Sequence, residues 1–259
     1  MTVAPAPDEI FDRAAEEGAR RLDQSLLELV STSFIAGFTI VFGLAALGIV
    51  RAAVGPGLGH LAGALAFGVG LVFLIVGRAE LFNENFFDPA AKAALDPDSW
   101  LIGPLLRLWV VTFTFNLVGG APFVFLLSVD GALPAGSAEA LSTVAEEIIH
   151  RGTVAEFVKA FTGGALVTLL SFLLQGVNSV GSRISLAYIV GVLLALGPFD
   201  HVIVTVLHVL FGMFFGVDIG LGALAATTAV VTAGNLVGGL GLVTLTHVAQ
   251  VRGAREAGD

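Results

Sequence analysis

"NLVGG" occupies residues 116–120 and is spelled again at 235–239, 119 positions later. A second pair of features repeats at almost the same interval. GRAELFNEN (77–85) and GPFDH (197–201) each put a glycine and a carboxylate inside or beside an apolar block, with Gly77 matching Gly197 and Glu80 matching Asp200, both 120 positions apart. Two independent features agreeing within one residue predict a duplicated chain, three apolar spans to each half. An odd number of spans per half makes the second half enter a membrane from the opposite side, an arrangement typical of pores and transporters with a site near the midplane. The predicted fold class is an all-α polytopic membrane protein with six transmembrane helices as a 3+3 inverted repeat.

Composition points the same way. The chain is 56% hydrophobic with 13% charged residues and a mean hydropathy of +0.94, whereas soluble domains carry about 25% charged residues. Charge-free blocks run over 31–50, 61–77, 108–129, 160–181, 184–199 and 219–251. A helix needs about 20 mostly apolar residues to cross the hydrocarbon core. The N-terminus is acidic and its first apolar block begins near Thr32, which does not read as a cleaved secretory signal. The absence of cysteine excludes disulfides and thiolate chemistry. A net charge of −9 argues against a nucleic-acid partner.

Lys/Arg bias orients the chain. With the N-terminus cytoplasmic, Arg13, Arg20, Arg21, Lys92, Arg107, Arg183, Arg252 and Arg255 lie inside, Arg51, Arg151 and Lys159 outside, and Arg78 at membrane depth. The expectation is a multi-pass protein of the inner (cytoplasmic) membrane with both termini cytoplasmic. Its parts are an amphipathic helix over 8–30, a first three-span repeat over 31–129, an extracytoplasmic connection over 130–155, a second repeat over 156–251 and a cytoplasmic tail over 252–259. In the leading helix Phe11, Ala15, Gly18, Leu22, Leu26 and Leu29 recur at helical spacing. That stripe could lie on the bilayer, pack on a neighbouring subunit, or form a solvated lead-in.

Spans two and five are predicted to be interrupted, since Pro198 lacks an N–H for the helix ladder and loose backbone at membrane depth must be buried in protein or line a cavity. In NLVGG the paired glycines permit close helix approach, and Asn116 and Asn235 are expected to bond the opened backbone. Glu80 and Asp200 are read as caps, accepting from the N–H groups that each restarting helix leaves free. Arg78 has Glu80, Glu84 or the cytoplasmic vestibule as possible partners. His201 stands apart, because the first half has Leu81 at the matching place. Its imidazole can donate a hydrogen bond when neutral or carry a charge near neutrality. His208, seven residues on, lines the outer vestibule or bonds backbone; no third ligand makes the pair a metal site. No nucleotide, metalloprotease or nucleophile motif is present, so neither an enzyme nor a cofactor is expected.

Taken together, GRAELFNEN, GPFDH and the doubled NLVGG resemble the formate/nitrite transporter family. The motifs correspond to Ala79-Glu80-Leu81-Phe82-Asn83 in the span-two loop and Phe199-Asp200-His201 at the span-five break. The resemblance implies homopentamers of aquaporin-like protomers in the lipid bilayer, each with its own pore, and an N-terminal helix packed against the neighbouring protomer. It implies pore positions at His201, Asn83 and Thr205, an outer constriction at Leu71 and Leu194, and an inner slit of Leu81, Phe82 and Val167. The chain departs from the family pattern at Asn83 and Thr205, at Gly164 in span four, and where Glu147, Ile148 and His150 replace an outer lysine. The function implied is a channel or proton-linked carrier for small monovalent anions or their protonated acids. A pore for a small neutral solute, with His201 only a hydrogen-bond donor, and a non-conducting scaffold are the other readings.

Overall fold

A computed structural model describes residues 5–96 and 100–258; Asp259, the end of the expected tail, lies outside them. Five described helices are long and apolar enough to cross a membrane. They are α2 (Leu26–Val54), α3 (Gly59–Val76), α5 (Ile102–Leu127), α7 (Thr153–Gln175) and a continuous rod over Leu221–Glu256. The rod comprises α10 (Leu221–Leu236), a π-helical stretch (Val237–Thr244) and α11 (Leu245–Gly258). Where the fifth span was expected lie two shorter apolar helices, α8 (Val180–Leu196) and α9 (Val202–Phe214). After α3 comes a non-helical stretch, then a 3-10 turn (Phe82–Phe86) and the short α4 (Asp88–Ala94).

The chain makes the same close contacts twice. A Cβ on Gly37 of α2 would strike the Asn116 carbonyl, and one on Gly164 of α7 would strike the Asn235 carbonyl. Gly119 lies against the Phe34 carbonyl of α2, and Gly238 against the Phe161 carbonyl of α7. Bare glycine is what lets α5 seat on α2, and the α10 rod on α7, backbone to backbone. Between the two groups α3 crosses α8 where Gly191 meets the Gly68 backbone. The outward faces are greasy: Leu106, Val110, Val118, Phe125 and Leu126 of α5 are all exposed, a surface for lipid or another copy to cover.

Two segments differ from expectation. The leading helix, α1, spans only Pro7–Leu22, because Ser25 begins a new helix by accepting a hydrogen bond from Glu28 N at 3.2 Å. This Ser-x-x-Glu start turns the chain, so Leu26 and Leu29 belong to the first span. Nor does the α1 stripe wait for the bilayer or a neighbour. Ile10, Phe11, Ala14, Ala15, Gly18 and Leu22 are buried within the chain itself. Phe11 meets Phe87 edge-on at 6.3 Å, and Gly18 brings α1 onto the Asp88 carbonyl. The connection over 130–155 likewise contains a helix, α6 (Ser137–Ile149). Its Ala145 and Ile148 pack with Val209 of α9 and with Ile219, so α6 covers α9 much as α1 covers α4.

Candidate functional site

The two helix breaks are held by asparagine. Asn116 Oδ1 accepts from Phe82 N at 3.0 Å, while its Nδ2 donates to Ser33 O at 2.8 Å and Glu80 O at 2.9 Å. Asn235 repeats the pattern: Oδ1 accepts from Val202 N at 2.9 Å, and Nδ2 donates to Ala160 O and Asp200 O at 2.7 Å each. The backbone amides of Glu80 and Asp200 pair with the Thr32 and Lys159 carbonyls. The carboxylates therefore do not cap the restarts as the sequence suggested. A neutral amide both donates and accepts, so it satisfies a chain end and a chain start together; a carboxylate only accepts.

Freed from capping, the acids meet arginines. Glu80 Oε1 accepts from Arg20 at 3.2 Å and Gln24 at 3.3 Å, and its other oxygen lies 3.5 Å from Arg21. Arg21 also lies 3.5 Å from Asp88. Arg78, left-handed at φ 52°, points its exposed guanidinium at Glu17, 3.6 Å away. Asp200 pairs with Arg151 at 2.6 Å. Nothing local in the sequence marks these partners, which lie 49 to 67 positions away.

Glu17 offers a pH test outside the spans. Burial would raise its carboxyl, but the hydrogen bond from Arg20, then the charges of Arg21 and Arg20, hold it down to about 2 against an ordinary 4.5. A depressed carboxylate stabilises the fold above its ordinary value and stops doing so as pH falls through the folded value. Docking of α1 should be complete above about pH 4.5 and weaken from there down to about 2. Glu17→Gln should abolish that acid sensitivity, read as amide hydrogen exchange over residues 7–22.

The charges border two cavities. One, of about 310 Å³, is lined by Glu17, Arg20, Arg21, Arg78, Glu80, Arg183 and Ile75 among others. The other, of about 170 Å³, is lined by Arg51, His60, Glu147, Arg151, Lys159, Leu194, Asp200, His201, Thr205 and His208. The basic residues assigned to opposite sides thus segregate to opposite cavities. On α3, Phe67 faces the second cavity and Ile75 the first, so roughly 12 Å of helix separates them at 1.5 Å per residue. Leu71 and Leu74 fill that interval, in one buried apolar cluster with Leu81, Phe82, Val167 and Leu194.

His201 ends the break. Its Nδ1 accepts from Ile203 N at 3.1 Å, and its carbonyl is taken by Thr205 N. An amide N–H only donates, so Nδ1 holds a lone pair and the neutral ring carries its proton on Nε2. That Nε2 has no partner among the described residues, and the ring, 1% exposed, borders the second cavity. Thr205 shares this wall. Asn83 borders neither cavity: it is fully buried, donating from Nδ2 to Asn235 Oδ1 at 2.8 Å.

A family profile described as formate/nitrite transporter matches residues 8–249. Among relatives, "Inner membrane protein YfdC" of Escherichia coli (strain K12) is 22% identical over 245 residues, 94% of this chain and 78% of its own. A "Probable formate transporter" of Methanothermobacter thermautotrophicus is 28% identical over 235 residues, covering 82% and 84%. Two solved structures share the fold. An "FNT family ion channel" superposes with a TM-score of 0.82 at 17% identity, covering 92% of this chain and 97% of its own. A "Pentameric formate channel with formate bound" does so with a TM-score of 0.67 at 19% identity, covering 90% and 96%.

Proposed function

Because the chain belongs to the formate/nitrite transporter family, we propose that it carries a small monovalent weak acid, formate-like in size and charge, across an inner membrane through a path within each protomer. The observation that carries the reading is the free Nε2–H of His201 at the floor of a cation-bordered cavity, above an apolar interval. A carboxylate is drawn in by Arg51, Arg151 and Lys159 and takes a hydrogen bond from His201. It passes Leu71 and Leu194, then Leu81, Phe82 and Val167, as the neutral acid, because an unpaired charge in an apolar medium is far costlier than a neutral polar group. Asn83 serves the path indirectly, by holding the inner loop to Asn235.

On this reading the doubled asparagine clamps belong to a 3+3 inverted repeat with an aquaporin-like protomer, and the His201 cavity faces outward while both termini are cytoplasmic. The relative described as a pentameric formate channel supports a homopentamer and formate as the first solute to try. Capping of Ile203 fixes His201 as a donor, which favours a second reading, a pore for small neutral solutes.

Uptake of a panel of small acids into proteoliposomes at two external pH values separates them. Passage as the neutral acid predicts flux rising about tenfold per unit fall in pH above the acid's pKa, since the protonated fraction rises so. Acid flux that carries no current and ignores pH would sink the acid reading in favour of the neutral pore.

A further inference from the structure

The inner cavity holds a titratable group that the transport path has not yet employed. Glu84 is 2% exposed and borders that cavity, and its Oε1 is buried without a partner among the described residues. The acids on either side of it are supplied. Glu80 has Arg20, Gln24 and Arg21; Asp88 has Arg21, and Gln175 donates to it at 3.0 Å. Arg21 spends its donors elsewhere. Its Nη1 donates to the Glu84 carbonyl at 3.2 Å and to Asn85 Oδ1 at 3.1 Å, and its Nε to Glu17 at 3.2 Å. Ser171 Oγ donates to the same carbonyl at 2.9 Å, so the backbone at Glu84 is tied down while the carboxyl is left free.

A carboxylate buried without a partner is costly, and it takes up a proton instead. Arg21 favours the charged form from nearby, while Glu80 and Asp88 oppose it. The other charges bordering the cavity are Glu17, Arg20, Arg78 and Arg183. Glu17 pairs with Arg20 and Arg78, while Arg183 has no ion-pair partner among the described residues and is left to attract an anion. The cavity also reaches Ile75 and Leu174, members of the same buried apolar cluster as Leu71 and Val167. An anion held here stands at the edge of an interval that it crosses only when neutral. The duplication gives Glu84 no counterpart: the matching residue 120 positions on is Val204, just as His201 is matched by Leu81. The two unmatched groups border opposite cavities.

Resting on the proposed function, we infer that Glu84 stands as a neutral acid at rest and is the residue that trades a proton with the permeant in the inner cavity. A carboxylate entering from the cytoplasm accepts a strong hydrogen bond from the Glu84 carboxyl. The Glu84 O–H bond breaks, an O–H bond forms on the permeant, and the neutral acid enters the apolar interval. Glu84, briefly ionised beside Arg21, regains its proton from cytoplasmic hydronium, releasing water. An acid arriving from outside runs the same steps in reverse, leaving its proton on Glu84 and departing as the anion.

The test uses formate uptake into proteoliposomes driven by an inward proton gradient. Wild type is compared with Glu84→Gln, which keeps the size and a hydrogen-bonding side chain but has no acid proton to trade, and with Glu84→Asp, which keeps the acid on a shorter arm. The expected result is a fall of about tenfold or more in Glu84→Gln, in line with the loss of a positioned acid–base group, and partial recovery in Glu84→Asp. A merely structural role reverses that order. Uptake by Glu84→Gln equal to or above that of Glu84→Asp would therefore overturn the role of Glu84 while leaving the transport reading intact; a wild type inert to every small acid would overturn the transport reading and this one with it. If Glu84→Gln does not assemble, carbon-13 shifts of labelled glutamate carboxyls in the reconstituted wild type decide. A neutral carboxyl at neutral pH, lost in Glu84→Asp, is required, and glutamates ionised throughout would overturn the site.

Discussion

His201→Phe should lower acid flux by about a hundredfold or more while the protein still inserts and assembles. Phenylalanine fills the space of the ring but withdraws the one N–H at the cavity floor. Removing a single preorganised donor from a water-poor site costs roughly 10²–10³ in comparable chemistry. The same change removes the acceptor for Ile203 N, a loss of about 1 kcal/mol at a helix start. His201→Asn separates these effects, since asparagine is a good N-cap residue but does not reach as far into the cavity. It should restore thermal stability without restoring flux. Flux in His201→Phe within about twofold of wild type would remove the ring from the transport path.

The largest loss of stability is expected at Asn235→Ala. Four buried groups depend on that one amide: Val202 N, the Asn83 side chain, Ala160 O and Asp200 O. Each buried polar group left unpaired costs roughly 1–3 kcal/mol, and the two at the break, Val202 N and Asp200 O, have no other partner among the described residues, so a loss of about 2–6 kcal/mol is expected. Asn116→Ala removes three bonds and should cost less. Thermal unfolding of the purified protein in detergent measures both. An Asn235→Ala protein no less stable than Asn116→Ala would mean that the extra bond from Asn83 adds nothing.

The fold was legible where an element advertises itself over a few residues. Long charge-free blocks, Gly197–Pro198 and the repeated NLVGG locate the helices, the second break and the close contacts without any coordinates. The Asn clamps were legible too, because an asparagine in an apolar span has little else to bond than opened backbone. The destinations of Glu80 and Asp200 were not, since Arg20, Arg21 and Arg151 approach them only through tertiary packing. A carboxylate beside a helix start looks the same in sequence whether it caps or pairs. The end of α1 could have been read from Ser25 and Glu28, but helical spacing of the leucines runs straight across that turn. Leu141, Ala145 and Ile148 were equally a helical stripe, hidden in a stretch of loop-like composition. Burial in one cluster is what ties Leu71, Leu81, Phe82, Val167 and Leu194 together, and no sequence spacing states it.

The Asn235 oxygen accepts from both the inner loop, through Asn83, and the first turn of the helix that carries His201. The loop after α3 and the start of α9 therefore share a hinge pin. If Asn83 swings clear, the oxygen is left to Val202 alone and can shorten that bond, drawing the imidazole's helix inward by a fraction of an ångström. A displacement of that loop would reach the start of α9 through this one amide.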